Sequence, residues 1–246
     1  MEQNRTPKCA VVGYGSWATA IVKTLTTNRH HINWLVLNEE ILQSLEQRGR
    51  NSKYLPWCDI DKGYFTASSD INAVVEDADI VIMAMPSAYM KKFLEPLTVD
   101  LSNKIVVSVV KGIIPGDYLT IVEHIHRYYN VPMQNLCVVT GPSHAEEVAQ
   151  GRLSYLTVAA EDKSTAESVR SVLENEFFRC SLSDDVLGVE GAAIMKNIYA
   201  LAVGMAVGLR FGDNFLAVLI AGCANEMKRF LAEATPIDNR DITIPA

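Results

Sequence analysis

The stretch Val11-Val12-Gly13-Tyr14-Gly15-Ser16-Trp17-Ala18-Thr19-Ala20 decides the fold of this chain. It follows an apolar run and leads into a helical pattern, which is typical of a strand, a tight glycine turn and a helix. Gly13 permits the sharp turn, Gly15 lets a ligand approach the backbone, and Ala18 lets the helix pack closely on the strand. The free N–H groups at the helix start would then face a diphosphate. The stretch predicts a dinucleotide site, although glycine turns also join strands and helices that bind no dinucleotide.

The length and composition indicate an ordinary globular protein. The 246 residues suit one large domain or two smaller ones, with 49% hydrophobic and 21% charged residues. The net charge of −7 disfavours nucleic acid as a partner, because nucleic-acid-binding surfaces are usually basic. An anion-binding site would therefore depend on local lysines and helix ends.

The cysteines are five in number, widely spaced and without a C-x-x-C pair. They predict neither a disulfide scaffold nor a metal site, and they favour a reducing, cytoplasmic compartment. The N-terminal segment MEQNRTPKCA lacks the apolar core of a signal peptide. The most membrane-like segment, 188–209, contains Glu190 and Lys196, so we expect a buried core helix and no membrane span.

Strand and helix patterns alternate along the chain to about residue 183. Unbroken apolar runs such as 79–84 and 104–110 are typical of strands buried on both faces of a parallel sheet. The alternation predicts an α/β fold with a Rossmann-like, doubly wound, mainly parallel sheet. Beyond this point only two helical stretches follow, at 186–209 and 214–234. We therefore predict a dinucleotide-binding domain at 1–183 and an all-helical second domain at 184–246.

Candidate functional residues lie where predicted strands end, because ligands of open α/β sheets bind at the carboxyl ends of the strands. Lys111 closes a strand of valine and isoleucine, and it either points into a cleft or is a solvated strand end. Gly141 and Ser143 follow the next strand. Ser143 is also the expected N-cap of a short helix.

Lys196 lies inside an apolar helical stretch, with Asn197 beside it. A buried lysine costs several kcal/mol unless it is paired or its pKa falls. A lowered pKa would make Lys196 a usable general acid or base near neutral pH. The alternative is a lysine at a domain interface whose ammonium group reaches solvent.

Four motifs, in order along the chain, resemble the bacterial-type NAD(P)-dependent glycerol-3-phosphate dehydrogenases. The stretch from Gly13 to Ala20 resembles the family motif G-x-G-S-W-G-T-A, and the family motif S-K-G-I is similar to Val110-Lys111-Gly112-Ile113. The family motif G-P-S-x-A-x-E-V-A is similar to Gly141-Pro142-Ser143-His144-Ala145-Glu146-Glu147-Val148-Ala149. The family segments K-N-V and G-D-N are similar to Met195-Lys196-Asn197-Ile198 and the later Gly212-Asp213-Asn214.

The resemblance implies reversible hydride transfer between a nicotinamide cofactor and dihydroxyacetone phosphate, giving sn-glycerol 3-phosphate for glycerophospholipid synthesis. It implies that Lys196 is the catalytic proton donor and acceptor. The implied substrate-binding residues are Lys111, Gly141, Ser143 and Asn197. The implied cofactor-binding residues are Gly13, Gly15, Ser16, Trp17, Lys111 and Ala145. The sequence leaves a homodimer open.

The chain departs from the family pattern in two places. Members that use NADP tend to have Arg or His after the second strand, whereas residues 35–39 contain no cation. Glu39 lies about 20 residues past Ala18, as expected of an acid that binds a ribose 2′-OH, so NAD is favoured over NADP. Arg48 or Arg50 could still reach a 2′-phosphate. The family also continues with G-D-L and S-R-N segments that are absent here, which predicts an incomplete second domain.

Two other interpretations stay open at this stage. One is a different Rossmann dehydrogenase, of the hydroxy-acid type. The other is a truncated, non-catalytic nucleotide-binding fragment. The absence of the S-R-N motif would favour it, because the resemblance implies that the arginine of that motif binds the substrate phosphate.

Overall fold

The computed structural model describes residues 6–235, and within them the strands form a single eight-stranded sheet. The strands are β1 (Cys9–Val12), β2 (Ile32–Leu35), β3 (Phe65–Ser68), β4 (Ile80–Met83), β5 (Ile105–Ser108), β6 (Leu136–Thr140), β7 (Ser154–Ala159) and β8 (Phe178–Ser183). The α-helices are α1 (Ser16–Thr27), α2 (Glu39–Arg48), α3 (Ile71–Val75), α4 (Met90–Leu94), α5 (Ile121–Tyr129), α6 (Ala145–Ala149), α7 (Lys163–Leu173), α8 (Val186–Gly208) and α9 (Asp213–Ala234).

The strand order is β3-β2-β1-β4-β5-β6-β7-β8. All neighbouring strands pair in parallel except β6 and β7, which pair antiparallel. The order reverses direction between β1 and β4, which is the topological switch point where doubly wound sheets bind ligands. The predicted fold class is confirmed: a Rossmann-like sheet is followed by helices.

The core lies on both faces of this sheet, because successive residues of a strand point to opposite faces. Cys9 and Val11 join a cluster with α1, α2 and α7, whereas Ala10 and Val12 join a second cluster with α3, α4 and α5. Every residue of β1 and β4 is buried, as their unbroken apolar runs predict.

Helices α3 and α5 begin with side-chain caps of the expected kind. Asp70 caps α3, as the stretch Ser68-Ser69-Asp70 predicts, by accepting a hydrogen bond from the Asn72 backbone N–H. Thr120 caps α5 and forms a reciprocal capping box with Glu123.

Two local expectations were wrong. Strand β3 was missed because Phe65–Ser68 lies at the sheet edge, where only Phe65 is buried and no continuous apolar run marks the strand. The sequence predicts Asp213 or Asn214 as the N-cap of α9, but the N-cap is Gly212, without a side-chain cap.

Helix α8 is not the buried core helix that its composition predicted. It packs against β6, β7 and α9 on one side, but Ile198 is 63% exposed and Leu201 is 65% exposed. Lys196 and Asn197 are also exposed. The helix is long and apolar enough to cross a membrane by length and composition alone, with 22% of its apolar window buried. Apolar composition predicted the presence of the helix correctly, but it did not predict how much of the helix surface is buried.

Candidate functional site

The glycine turn after β1 is fixed against the end of β4. Gly13 has φ +127°, and a Cβ at this position would lie 2.5 Å from the Ala84 carbonyl oxygen. The buried Trp34 indole Nε1 donates a hydrogen bond of 2.7 Å to the Gly13 carbonyl oxygen. Only glycine suits this backbone conformation and close approach.

The start of α1 fits a dinucleotide diphosphate. Gly15 is the N-cap, no side chain caps the helix, and its first turn holds no acidic residue. A Cβ on Gly15 would meet no atom within 4 Å, so the space beside it is open. The backbone N–H groups of Ser16, Trp17 and Ala18 have no partner within the helix and carry the positive end of its dipole. This is the arrangement that binds phosphate oxygens.

Asn51 holds the glycine turn in place, and sequence reasoning missed it. Its fully buried side chain donates hydrogen bonds of 2.9 Å to the Tyr14 carbonyl oxygen and to the Thr19 hydroxyl. Its carbonyl oxygen accepts from the backbone N–H groups of Lys53 and Tyr54. An asparagine within a predicted irregular loop gave no signal of these contacts 32 and 37 residues away.

Lys111 lies in the connection between β5 and α5, beside the connection that follows β4. A Cβ on the adjacent Gly112 would lie 2.5 Å from the Ser87 hydroxyl oxygen. The Lys111 side chain is partly buried. The connections that contain Gly13, Ser87 and Lys111 therefore meet at the carboxyl edge of the sheet, where the sequence predicts the ligand.

The structure brings Lys111 and Lys196 together. Burial lowers the pKa of Lys111, and the positive charge of Lys196 lowers this pKa further. The two residues come from different parts of the chain, the β5–α5 connection and α8. Lys196 is exposed, whereas its special role was inferred from expected burial, so that reason was wrong. Its charge nevertheless acts on Lys111.

Gly141, Ser143 and Ala145 lie between β6 and α6. A Cβ on Gly141 would lie 2.5 Å from the Tyr155 carbonyl oxygen. Ser143 is not the N-cap that was expected: its hydroxyl donates to the Gly141 carbonyl oxygen at 3.4 Å, and His144 is the N-cap of α6. Ala145 begins α6, which packs against α1.

The residues after β2 bear on the choice of cofactor. Asn38 caps α2 and Glu39 is its first residue, with an exposed side chain. The Arg50 guanidinium Nη2 donates to an Asp59 carboxylate oxygen at 3.0 Å. The Lys53 ammonium lies 2.7 Å from a Glu40 carboxylate oxygen.

Within residues 6–235, no group of three or more His, Cys, Asp or Glu side chains is arranged to hold a metal ion. Two surface pockets in this part of the chain lie away from these residues, one beside α1 and α6 and the other beside α5.

Comparison with known proteins gives the family. The family model for the NAD-dependent glycerol-3-phosphate dehydrogenase N-terminus matches residues 8–166, and the model for the C-terminus of the same enzymes matches residues 185–241. The chain belongs to this dehydrogenase family.

Two curated members of the NAD-dependent glycerol-3-phosphate dehydrogenase family illustrate the relationship. A glycerol-3-phosphate dehydrogenase [NAD(P)+] of Halothermothrix orenii is 36% identical over 226 residues, covering 90% of this chain. The enzyme with the same name in Halalkalibacterium halodurans is 32% identical over 222 residues, covering 89% of this chain. The chain spans 64% of the length of each of these relatives.

A solved glycerol-3-phosphate dehydrogenase structure has the same fold. The enzyme of Coxiella burnetii superposes with a TM-score of 0.84 at 26% sequence identity. The superposition covers 94% of this chain and 70% of that one.

Proposed function

We propose that this protein is a glycerol-3-phosphate dehydrogenase that reversibly reduces dihydroxyacetone phosphate to sn-glycerol 3-phosphate for glycerophospholipid synthesis. The observation that carries this proposal is the pairing of Lys111 and Lys196 at the edge of the sheet that holds the glycine turn. The names of the curated relatives support the same activity.

The lysine pair supplies what reduction of a ketone needs. Negative charge develops on the carbonyl oxygen as the ketone is reduced, and two ammonium groups beside it stabilise that charge. Lys196 donates the proton to this oxygen and accepts it in the reverse direction. Burial and then the positive charge of Lys196 lower the pKa of Lys111, so Lys111 releases its proton more readily than an isolated lysine does.

The remaining substrate contacts are assigned to Gly141, Ser143 and Asn197. The Ser143 hydroxyl makes only a long hydrogen bond to Gly141, so it is available to a ligand. Asn197 follows Lys196 on α8 and has an exposed amide that can both donate and accept.

The cofactor contacts are assigned to Gly13, Gly15, Ser16, Trp17, Lys111 and Ala145. When bound, a nicotinamide dinucleotide supplies or accepts the hydride. The backbone N–H groups at the N-terminus of α1 hold the diphosphate, and no side chain occupies the space beside Gly15.

NAD is the proposed cofactor in preference to NADP. The proposal is supported by Glu39, which follows β2 and can accept hydrogen bonds from a ribose hydroxyl. Two nearby cations that could bind a 2′-phosphate, Arg50 and Lys53, are engaged with Asp59 and Glu40.

The proposed domain division is 1–183 and 184–246. It is supported by the end of the last described strand at Ser183 and the start of α8 at Val186. Helix α8 is proposed not to span a membrane, because buried Glu190 bonds it to the start of α5.

A cytoplasmic location and the absence of a nucleic-acid partner complete the proposal, which leaves a homodimer open. The cytoplasm is supported by buried thiols, since burial raises the pKa values of Cys9 and Cys58 and leaves them unreactive. The net charge of −7 disfavours nucleic acid.

A second candidate is a nucleotide-binding module without turnover. The exposure of Lys196 and Asn197 favours it, because a proton donor works best where water is excluded.

One set of assays separates the two candidates. Oxidation of NADH and of NADPH is measured with dihydroxyacetone phosphate for the wild-type chain, Lys196→Ala and the control Lys228→Ala on α9. We expect turnover with NADH that falls at least about 100-fold in Lys196→Ala and is unchanged in Lys228→Ala. NADH affinity should stay within about threefold in all three proteins.

Each other outcome has a definite meaning. NADH binding without turnover in the wild-type chain would establish the second candidate. Equal turnover in wild type and Lys196→Ala would overturn the assigned role of the lysine. Faster turnover with NADPH would overturn the cofactor preference.

A further inference from the structure

Glu190 is a buried carboxylate that the proposed reaction does not use. Its side chain is 0% exposed, and it lies on α8 six residues before Lys196. One oxygen accepts hydrogen bonds from the backbone N–H groups of Ile121 at 3.1 Å and Val122 at 3.4 Å. The other oxygen also lies 3.4 Å from the Val122 nitrogen. A carboxylate is retained in such a place only where it is well bonded.

Glu190 completes the N-terminal cap of a helix to which it does not belong. The capping box of α5 uses the N–H groups of Thr120 and Glu123: Glu123 accepts from Thr120 at 2.8 Å, and Thr120 accepts from Glu123 at 3.3 Å. This box leaves the N–H groups of Ile121 and Val122, the two that Glu190 takes. The start of α5 is therefore satisfied only when α8 is in place.

These hydrogen bonds connect the elements that carry the two lysines. Lys111 belongs to the connection that leads into α5, and Lys196 belongs to α8. On a helix, six residues correspond to about 9 Å along the axis and to a rotation of about 240°. Anchoring Glu190 thus fixes both the height and the rotation of α8. The rotation also explains why Glu190 is buried while Lys196, on a different side of α8, is exposed.

We propose that Glu190 is a positioning residue that fixes α8 on the start of α5, so that Lys196 faces Lys111. This inference rests on the proposed function for its importance, but its geometry does not depend on turnover. Glu190 touches neither reacting group and acts only through the placement of Lys196.

The test measures whether the two lysines still face each other. The whole chain, labelled with ¹³C at the lysine ε carbons, is titrated by NMR as wild type, Glu190→Ala and Glu123→Ala. The Lys111 signal is assigned by its loss in Lys111→Arg. Glu123→Ala is the matched control, because it removes a carboxylate from the same helix start without loosening α8.

The expected result has three parts. Lys196→Ala raises the pKa of Lys111, because a neighbouring positive charge is lost. Glu190→Ala raises it by most of the same amount, and adding Lys196→Ala to Glu190→Ala then has little further effect. Glu123→Ala leaves the Lys111 titration the same as in the wild-type chain. In an active chain, Glu190→Ala should also lower kcat about tenfold or more while KM for NADH changes less than about twofold.

Two outcomes would overturn the inference: an unchanged Lys111 titration in folded Glu190→Ala, or an equal rise in Glu123→Ala. If circular dichroism shows that Glu190→Ala does not fold, Glu190→Gln decides by the same criteria, since it keeps the volume and one acceptor oxygen. Failure to reduce dihydroxyacetone phosphate would contradict the proposed activity alone, because the lysine titration needs no substrate.

Discussion

The central strands β1 and β4 and the helical hairpin of α8 and α9 are both rich in apolar residues, yet they differ in burial. Every residue of the two strands is buried between helices on both faces. In the hairpin, as far as residue 235, Leu201 and Val218 are 65% and 73% exposed. The comparison teaches that apolarity indicates the kind of element, whereas burial depends on what packs against it.

The two regions also differ in how tightly side chains are specified. Around the glycine turn, single positions are constrained by contacts from β4, β2 and the loop containing Asn51. On the outer side of the hairpin, such constraints are absent from the described residues. Each experiment below tests this contrast, in order of decreasing expected effect.

The largest effect is expected for Gly13→Ala, with Gly15→Ala as the matched control in the same turn. A Cβ at Gly13 meets the Ala84 carbonyl oxygen at a positive φ, so unfolding free energy should fall by roughly 3 kcal/mol or more. Gly15→Ala should change it by less than about 1 kcal/mol, because the space there is open. Denaturant unfolding measures both. Equal losses would show that the turn is not held by β4.

Gly15→Ala should nonetheless weaken NADH binding, because its methyl group occupies the space assigned to the diphosphate. A fluorescence titration that finds unchanged affinity would contradict the assigned site.

The next effect concerns Glu190, which joins the hairpin to the start of α5. Burial raises the pKa of Glu190 from 4.5 to about 7. The folded state therefore holds the proton more tightly than the unfolded state. The stability from this group is fully present below pH 4.5 and is lost as pH rises through about 7. The loss should be on the order of 3 kcal/mol.

Unfolding free energies at pH values from 5 to 8 test this expectation. Glu190→Gln cannot ionise and should flatten the profile, whereas Glu123→Gln should keep the wild-type slope. A wild-type profile without this slope would mean that Glu190 stays ionised throughout.

Asn51→Ala should reduce stability by about 2 kcal/mol, because it leaves buried hydrogen-bonding groups unpaired. Asn72→Ala is a matched control, since Asn72 also bonds three backbone groups but lies far from the glycine turn in sequence and belongs to α3. We expect similar stability losses, with NADH affinity reduced about tenfold only in Asn51→Ala. Equal affinities in the two variants would limit Asn51 to a structural role.

The smallest effects are expected for a valine-to-threonine substitution made once in a buried strand of the sheet and once in the hairpin. Val107→Thr places a hydroxyl in the buried strand β5 and should cost about 1–2 kcal/mol. Val218→Thr makes the same change on exposed α9 and should stay within about 0.5 kcal/mol. If Val218→Thr were as costly as Val107→Thr in denaturant unfolding, the outer side of the hairpin would be covered in solution.

Local patterns predicted much of the fold. The glycine turn, the buried strands and the Asp70 cap all follow from neighbouring residues, and so each was recognisable from the sequence. The edge strand β3 was missed because, at the sheet edge, only Phe65 of its four residues is buried.

The interactions that sequence reasoning missed are those between distant residues. Asn51 bonds Tyr14 from 37 residues away, and Glu190 bonds Ile121 from 69 residues away. Nothing in the neighbouring sequence of either residue identifies these distant partners. Lys196 shows the converse: its apolar neighbours suggested burial, but the described residues leave its side of α8 exposed.

The reversal at β7 has a consequence for how the chain is routed. Because β7 runs opposite to β6 and β8 follows β7, the chain leaves β8 heading away from the edge where β1–β6 end. Helix α8 turns back after Ser183, and Lys196, ten residues after Val186, lies about 15 Å further along the helix axis. With β7 parallel, the chain would leave at the carboxyl edge, and α8 would carry its lysine past the cleft. The direction of strand β7 thus determines the direction from which α8 brings Lys196 to Lys111.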